Sequence, residues 1–185
     1  MKRKSGLKGK RSLALSLVYR LLEPGPVVLL TTSGPRGPNV MAMSWHMMVD
    51  FEPPVVACVV SNRDYTFGLL KRSGECVINI PTVELARQVV GCGNISGRKV
   101  DKFSRFGLTH IPASSVGAPL IKECYANLEC RVEDFSMASK YNIFILRVMR
   151  AWIDREMVNP RTIHHMGMGK FMVSGRTIRL ASRKK

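Results

Sequence analysis

The sequence predicts a mainly β fold with helical insertions, a barrel that carries short helices between its strands. Three observations lead there. Short apolar runs recur along the 185 residues, each bounded by Gly, Pro, Ser or Asn, which is the pattern of strands joined by turns. Stretches with helical spacing are few and fall between those runs. The alternating βαβ order of a doubly wound sheet is absent, which argues against that architecture.

Taken in order, residues 1–22 read as a basic N-terminal segment followed by a short amphipathic helix, Ser12 to Leu22, stopped by Glu23-Pro24-Gly25-Pro26. A barrel domain is expected over residues 23–175 and a basic tail over 176–185. Val27 to Thr32 is an apolar strand. After the turn cluster Ser33-Gly34-Pro35-Arg36-Gly37-Pro38, Val40 to Val49 reads as one long Met-rich strand. Val55 to Val60 is uniformly apolar and reads as a buried strand. Thr66 to Arg72 has helical character and stops at Ser73-Gly74; Cys76 to Ile80 is a second buried strand, ended by Pro81. Thr82 is a suitable N-cap for a helix from Val83 to Val90, and Lys99 to Phe106 suits another. From Glu123 the pattern alternates, with Cys124, Ala126, Leu128, Cys130 and Val132 facing inward and Tyr125, Asn127, Glu129, Arg131 and Glu133 outward, as in a half-exposed strand. Tyr141 to Trp152 is a further long strand pairing with it across Phe135–Lys140.

Composition narrows the function. No apolar run approaches the length needed to span a bilayer. Leu13 to Tyr19 is too short for a signal peptide, Arg20 interrupts it and no small-x-small site follows. The five cysteines, odd in number and without a C-x-x-C pair, read as reduced thiols in a cytoplasm. The formal charge is +16, but the two ends (Lys2, Arg3, Lys4, Lys8, Lys10, Arg11 and Arg176, Arg179, Arg183, Lys184, Lys185) hold eleven of it. That distribution describes solvated basic tails rather than a nucleic-acid-gripping face.

No Walker loop, G-x-G-x-x-G or G-x-S-x-G occurs, and the adjacent His164-His165 point to opposite sides of a strand, a poor metal site. A chain without an evident catalytic set or metal site suits a cofactor that carries its own chemistry. Four segments join polar donors to apolar walls: Asn39 to Trp45, Ser61 to Thr66, Asn94 to Phe103, and Tyr141 with Phe171. Ser61, Asn62, Arg63 and Thr66 at a strand-to-helix turn have the donors of a phosphate cradle. Taken alone, Asn39 to Trp45 reads first as a core strand and Tyr141 with Phe171 as core aromatics, while Ser61 to Thr66 reads equally as a capped turn and Asn94 to Phe103 equally as a surface loop.

Together they resemble a known family. Pro26-Val27-Val28-Leu29-Leu30-Thr31-Thr32, Asn39-x-Met41-x-x-Ser44-Trp45, Pro53-Pro54, Arg63-x-x-Thr66-x-x-x-Leu70, Val77-Ile78-Asn79-Ile80-Pro81 and Ser96-Gly97-x-x-Val100-Asp101-Lys102-Phe103 stand in the order of the flavin reductase-like, FMN-binding split-barrel family. The resemblance runs from about Pro24 to Trp152 and more weakly to the end. It implies a Greek-key split barrel, a homodimer and an FMN cleft in or near the subunit interface. It puts Asn39 and Trp45 beside the flavin, Thr66 near its phosphate or ribityl chain and Lys102 as a further flavin contact; Met41, Ser44, Ser61, Asn62, Arg63 and Ser96 complete the set of residues expected to bind the cofactor. Phe171 would cover the ring. Tyr141 stands where relatives often carry His, and a tyrosine cannot take up a proton near neutral pH. The implied activity passes electrons from NADH or NADPH through FMN to free flavin or a redox partner. The alternative is a flavoredoxin-like carrier fed by an acidic protein such as ferredoxin, without nicotinamide.

Overall fold

The computed structural model describes residue 7 and residues 9–181. Twelve strands are present among them: β1 (Lys10–Leu13), β2 (Val28–Gly34), β3 (Gly37–Met43), β4 (His46–Phe51), β5 (Pro54–Val59), β6 (Glu75–Ile80), β7 (His110–Ile111), β8 (Leu120–Ile121), β9 (Ala126–Asp134), β10 (Ile143–Asp154), β11 (Ile163–His165) and β12 (Phe171–Val173). Five short α-helices punctuate them: α1 (Tyr19–Leu22), α2 (Tyr65–Ser73), α3 (Ala86–Asn94), α4 (Lys102–Phe106) and α5 (Ala138–Tyr141).

The main sheet runs β3-β2-β6-β9-β10-β5-β4, antiparallel throughout. Its two outermost strands, β3 and β4, are consecutive in the chain and joined by Ser44-Trp45 alone. A two-residue link cannot bridge a flat sheet of seven strands. The sheet therefore curls until its edges adjoin, and the barrel is split at that seam. Val28, Leu30, Met43, Cys58, Ile78, Leu128, Cys130, Phe144 and Leu146 fill the interior. A second apolar layer lies outside, where Leu29 and Val40 meet Val89 and Cys92 of α3 and Phe103 of α4.

The structure departs from the sequence reading in five places. Val40 to Val49 is two strands, so the face shared by Asn39, Met41 and Met43 does not extend to Trp45. Ser12 to Leu22 is not one helix: Lys10–Leu13 forms β1, Leu15–Leu17 a 3-10 turn and Tyr19–Leu22 a single α-turn. Lys10 and Arg11, expected in a solvated tail, are in β1, which pairs with the end of β10. Lys10 is buried there, with its ammonium donating to the Cys124 carbonyl. The rest of the N-terminal basic run, Lys2, Arg3, Lys4 and Lys8, lies outside the described residues, as do Arg183, Lys184 and Lys185; Arg176 and Arg179 are exposed and without regular structure. Tyr141 ends α5 rather than opening β10. Finally, Asn127 and Glu129 on the supposed outer face of β9 are fully buried. The segment bearing β7 and β8 folds over them, and the Glu129 carboxylate accepts bonds from both Ser114 and Ser115 and from Trp152 Nε1 at 2.7 Å.

Candidate functional site

Two clefts that share Ala42, Gly93 and Asn94 lie where β3 meets α3, forming one groove with two kinds of wall. One half, about 270 Å³, is apolar: Val27, Met43, Val89 and Val90 line it, with Ser44 at the seam and Phe171 and His165 on the β11–β12 hairpin. The His165 and Phe171 rings are 5.3 Å apart. The other half, about 370 Å³, is polar, and its walls include Arg63, Tyr65, Thr66, Ser96 and Lys102, with Met41 beneath.

Local sequence explains each position. The loop after β5 is tied down when Asn142 accepts at its carbonyl from the Val60 N–H (3.0 Å) and at Oδ1 from the Asn62 N–H (3.2 Å). Asn142 has a left-handed backbone (φ 60°), one that Asn tolerates better than most residues. Ser61 Oγ accepts from the Arg63 N–H at 3.2 Å, so Ser61 and Asn62 shape the turn into α2. That turn delivers Arg63 to the polar half and the first turn of α2 delivers Tyr65 and Thr66, while Asp64 at the N-cap makes no side-chain cap bond. Asn39 is buried behind that wall, donating to Thr66 Oγ1 at 2.9 Å and Thr32 Oγ1 at 3.3 Å.

Across the cleft, Asp101 caps α4. Its Oδ1 accepts from the Phe103 and Ser104 N–H groups at 2.9 and 3.3 Å, and its Oδ2 from Ser104 Oγ at 2.6 Å. The bond from Ser104 leads the effects that hold its carboxyl below the usual range. Lys102 follows at once, its side chain buried and donating to the Cys92 carbonyl at 2.7 Å. Burial lowers its pKa, with the Cys92 and Asp64 side chains opposing that shift. An ammonium has three N–H donors, and no carboxylate lies within ion-pair distance of this one among the described residues. The site thus holds a buried cation that an anion in the cleft would complement.

Of the residues expected from sequence, the polar half brings together Met41, Arg63, Thr66, Ser96 and Lys102, and the apolar half Ser44 and Phe171, with Asn39 as a buried support. Ser61 and Asn62 sit in the turn behind. Trp45 and Tyr141 line neither half; both are exposed, and the Lys140 ammonium lies 5.0 Å from the Tyr141 ring. Tyr65 and Asn94 were missed as site residues because neighbours in their segments carried the recognisable pattern. His165 enters the sequence reading only as half of a poor metal pair. The Gly167-Met168-Gly169 turn, all at positive φ, is the signal for a hairpin that could have placed it.

The fit to FMN can be tested on these features. A phosphate needs clustered donors and a cation, and the polar half has both. A tricyclic ring needs apolar walls, and the other half has them. A Cβ on Gly97 would overlap Asn39 Oδ1, so only glycine lets this loop lie against the wall. The groove fits the group.

Comparison with known proteins agrees. A family model described as the flavin reductase like domain matches residues 20–170. The chain is 36% identical over 173 residues to protein YddH of Escherichia coli (strain K12), covering 86% of this chain and 92% of that protein. It superposes with a TM-score of 0.87 and 27% identity on an FMN-binding domain of a flavin reductase-like enzyme from Shewanella baltica OS155, over 93% of this chain and 97% of that one. Flavoredoxin of Desulfovibrio vulgaris (Miyazaki F) shares the fold at a TM-score of 0.79 and 24% identity, over 86% and 91% of the two chains.

Proposed function

Because the chain belongs to the flavin reductase-like domain family, we propose that it is an FMN-binding oxidoreductase that takes electrons from NADH or NADPH and hands them to free flavin or a redox partner. The observation that carries this reading is the two-part groove, apolar beside Phe171 and polar around a buried Lys102 that makes no ion pair with a carboxylate among the described residues. Thr66, Ser96, Arg63 and Lys102 would hold the phosphate, with Asn39 fixing the Thr66 hydroxyl. Val27, Val89 and Phe171 would cover the ring and exclude water. Bound FMN supplies the hydride and electron chemistry itself. The chain supplies binding and orientation, so no acid–base residue is required of it. The phosphate would offset the burial that lowers the Lys102 pKa and keep that ammonium charged.

A homodimer is part of the proposal. Trp45, Met47, Val49 and Phe51 stand 71%, 62%, 51% and 54% exposed along the seam and the edge strand β4. An apolar edge of this kind is an association surface. It begins one residue from Ser44 of the apolar half, so a second copy seated on it would complete the groove's wall. The free, buried cysteines fit a cytoplasmic location.

A second reading, a carrier fed by an acidic donor such as ferredoxin, is favoured by the formal charge of +16. Anaerobic titration of the FMN-loaded protein with NADH, NADPH and reduced ferredoxin, followed by flavin absorbance, separates the two. Bleaching by nicotinamide supports the reductase, bleaching by ferredoxin alone supports the carrier, and a protein that takes up no FMN refutes both.

A further inference from the structure

One wall of the apolar half rests on a loop held by two histidine rings. Residues 23–26 link α1 to β2 outside any helix or strand, and Val27 after them lines that half. Three consecutive positions are pinned. The Gly25 carbonyl accepts from His164 Nδ1 at 3.1 Å and the Pro26 carbonyl from His46 Nε2 at 2.7 Å, while the Val27 N–H donates to the Ile163 carbonyl at 2.7 Å. A carbonyl only accepts, so each ring presents an N–H to it. His46 opens the edge strand β4, one residue from Trp45, and His164 and Ile163 belong to β11. The loop therefore joins the split seam to the hairpin that carries His165 and Phe171 into the groove.

The two rings differ at their second nitrogen. His164 Nε2 lies 3.1 Å from the Thr162 hydroxyl, which can donate or accept. His46 Nδ1 is buried and has no hydrogen-bond partner among the described residues. Orphans of this kind are rare in folded proteins. Here it means that the fold accommodates the neutral Nε2–H tautomer, because a proton on Nδ1 would bury a charge and an N–H with no acceptor. The titratable or charged side chains on the elements packed about β4 offer that proton no carboxylate partner. Cys58 stands opposite on β5, its thiol pushed up to about 12 by burial. Tyr19 and Arg20 come from α1, Glu23 and His164 flank the loop, and His46 makes no ion pair among the described residues. Burial lowers the His46 pKa, and the bond to Pro26 opposes that shift. We infer that His46 is a positioning residue for the ring end of the groove: its neutral ring holds Pro26 and the Val27 wall in place, and a proton taken up at Nδ1 releases them. This rests on the flavin reading above.

Riboflavin, which has no phosphate to titrate, is the probe. Its dissociation constants are read by fluorescence quenching between about pH 8 and about pH 5, the range in which histidine changes charge. The wild type is expected to hold a constant affinity above about pH 6.5 and to lose roughly tenfold by about pH 5. His46→Gln keeps an amide N–H for the Pro26 carbonyl but takes up no proton. It should bind as tightly as the wild type near neutral pH and stay flat in acid. His46→Phe removes the donor and should bind about tenfold more weakly throughout. Thermal melts show which variants are folded; should His46→Phe not fold, the comparison with His46→Gln decides. Parallel acid losses in wild type and His46→Gln overturn the role, as does a wild type that stays flat to about pH 5 or a folded His46→Phe of wild-type affinity. Nitrogen NMR of the imidazoles in the flavin-free protein keeps this apart from the flavin reading. It should show His46 neutral and protonated on Nε2 near neutral pH, and an imidazolium or an Nδ1–H ring there overturns the inference whatever binds. A protein with the expected ring that takes up neither riboflavin nor FMN overturns the flavin reading, and the positioning role with it.

Discussion

Asn39 Nδ2 donates to Thr66 Oγ1 at 2.9 Å, which ties the barrel edge β3 to the first turn of α2. The same amide's Oδ1 occupies the space that a Cβ on Gly97 would need. Three segments of the candidate phosphate cleft are thus locked through one buried side chain.

Gly97→Ala tests that lock. The Asn39 amide is held by bonds to Thr32 and Thr66 and cannot yield freely, so the loop must shift. We expect FMN affinity to fall about tenfold, roughly 1.4 kcal/mol, with the far-UV spectrum unchanged. Quenching titrations on both proteins check it, and an unaltered dissociation constant rejects the lock.

Lys102→Met removes the buried cation and keeps its apolar stem. FMN binding should weaken by about 2 kcal/mol, in the range of a hydrogen bond to a charged group, while riboflavin binding stays close to wild type. Similar losses for both ligands would show that Lys102 supports the fold instead of meeting a phosphate.

Glu129 sets an acid limit on stability. Burial raises its pKa, but bonds from Ser115, Ser114 and Trp152 together outweigh that and hold it below the ordinary value. A carboxylate depressed in the folded state stabilises the fold above its unfolded pKa of about 4.3, and that contribution is lost as pH falls through the folded value. Thermal melts should therefore drop in temperature below about pH 4.3. Glu129→Gln should cost about 1–3 kcal/mol at pH 7 and flatten the acid limb. An acid limb of unchanged steepness in the variant would assign it to other carboxylates.

Glu129 also marks where sequence reading stopped. Alternation identified β9 and its inner face correctly, because Cys124, Ala126, Leu128 and Cys130 are contiguous with the barrel interior or the layer outside it. Whether the other face met water depended on residues 109–121 folding back across it, which no local pattern reveals. The strands Val55–Val60 and Cys76–Ile80 and the helix at Thr66–Arg72 were legible because their apolar content and stop signals agree. The break at Ser44-Trp45 was not, since no Gly or Pro marks it. The pairing of Lys10–Leu13 with β10 was hidden for another reason: its partner lies at the far end of the chain. At the site, Phe171 and most residues inside recognisable motifs reach the groove, although Trp45 does not; Val89, Val90 and Asn94 of α3 and His165 of the β11–β12 hairpin were not anticipated.

The seam between β3 and β4 yields the last prediction. Trp45 caps an apolar stripe on an edge strand, and Phe51 at its other end leans on Tyr19 with ring centroids 5.1 Å apart. So much apolar surface beside an unpaired edge favours a second chain. If the partner completes the apolar wall, flavin binding and dimerisation are linked, and each should strengthen the other. Trp45→Ala should then weaken FMN binding by about 1–3 kcal/mol, taking the stacking of an aromatic side chain on a base as the scale. Met47→Lys inserts a charge into the same stripe away from the groove; it should shift the protein toward monomer and lower FMN affinity without contacting the ring. Sedimentation velocity with and without FMN, run beside titration calorimetry on the three proteins, reads both effects. A wild type that sediments as a monomer in either condition, with FMN bound equally by both variants, would remove Trp45 and the shared wall from the site.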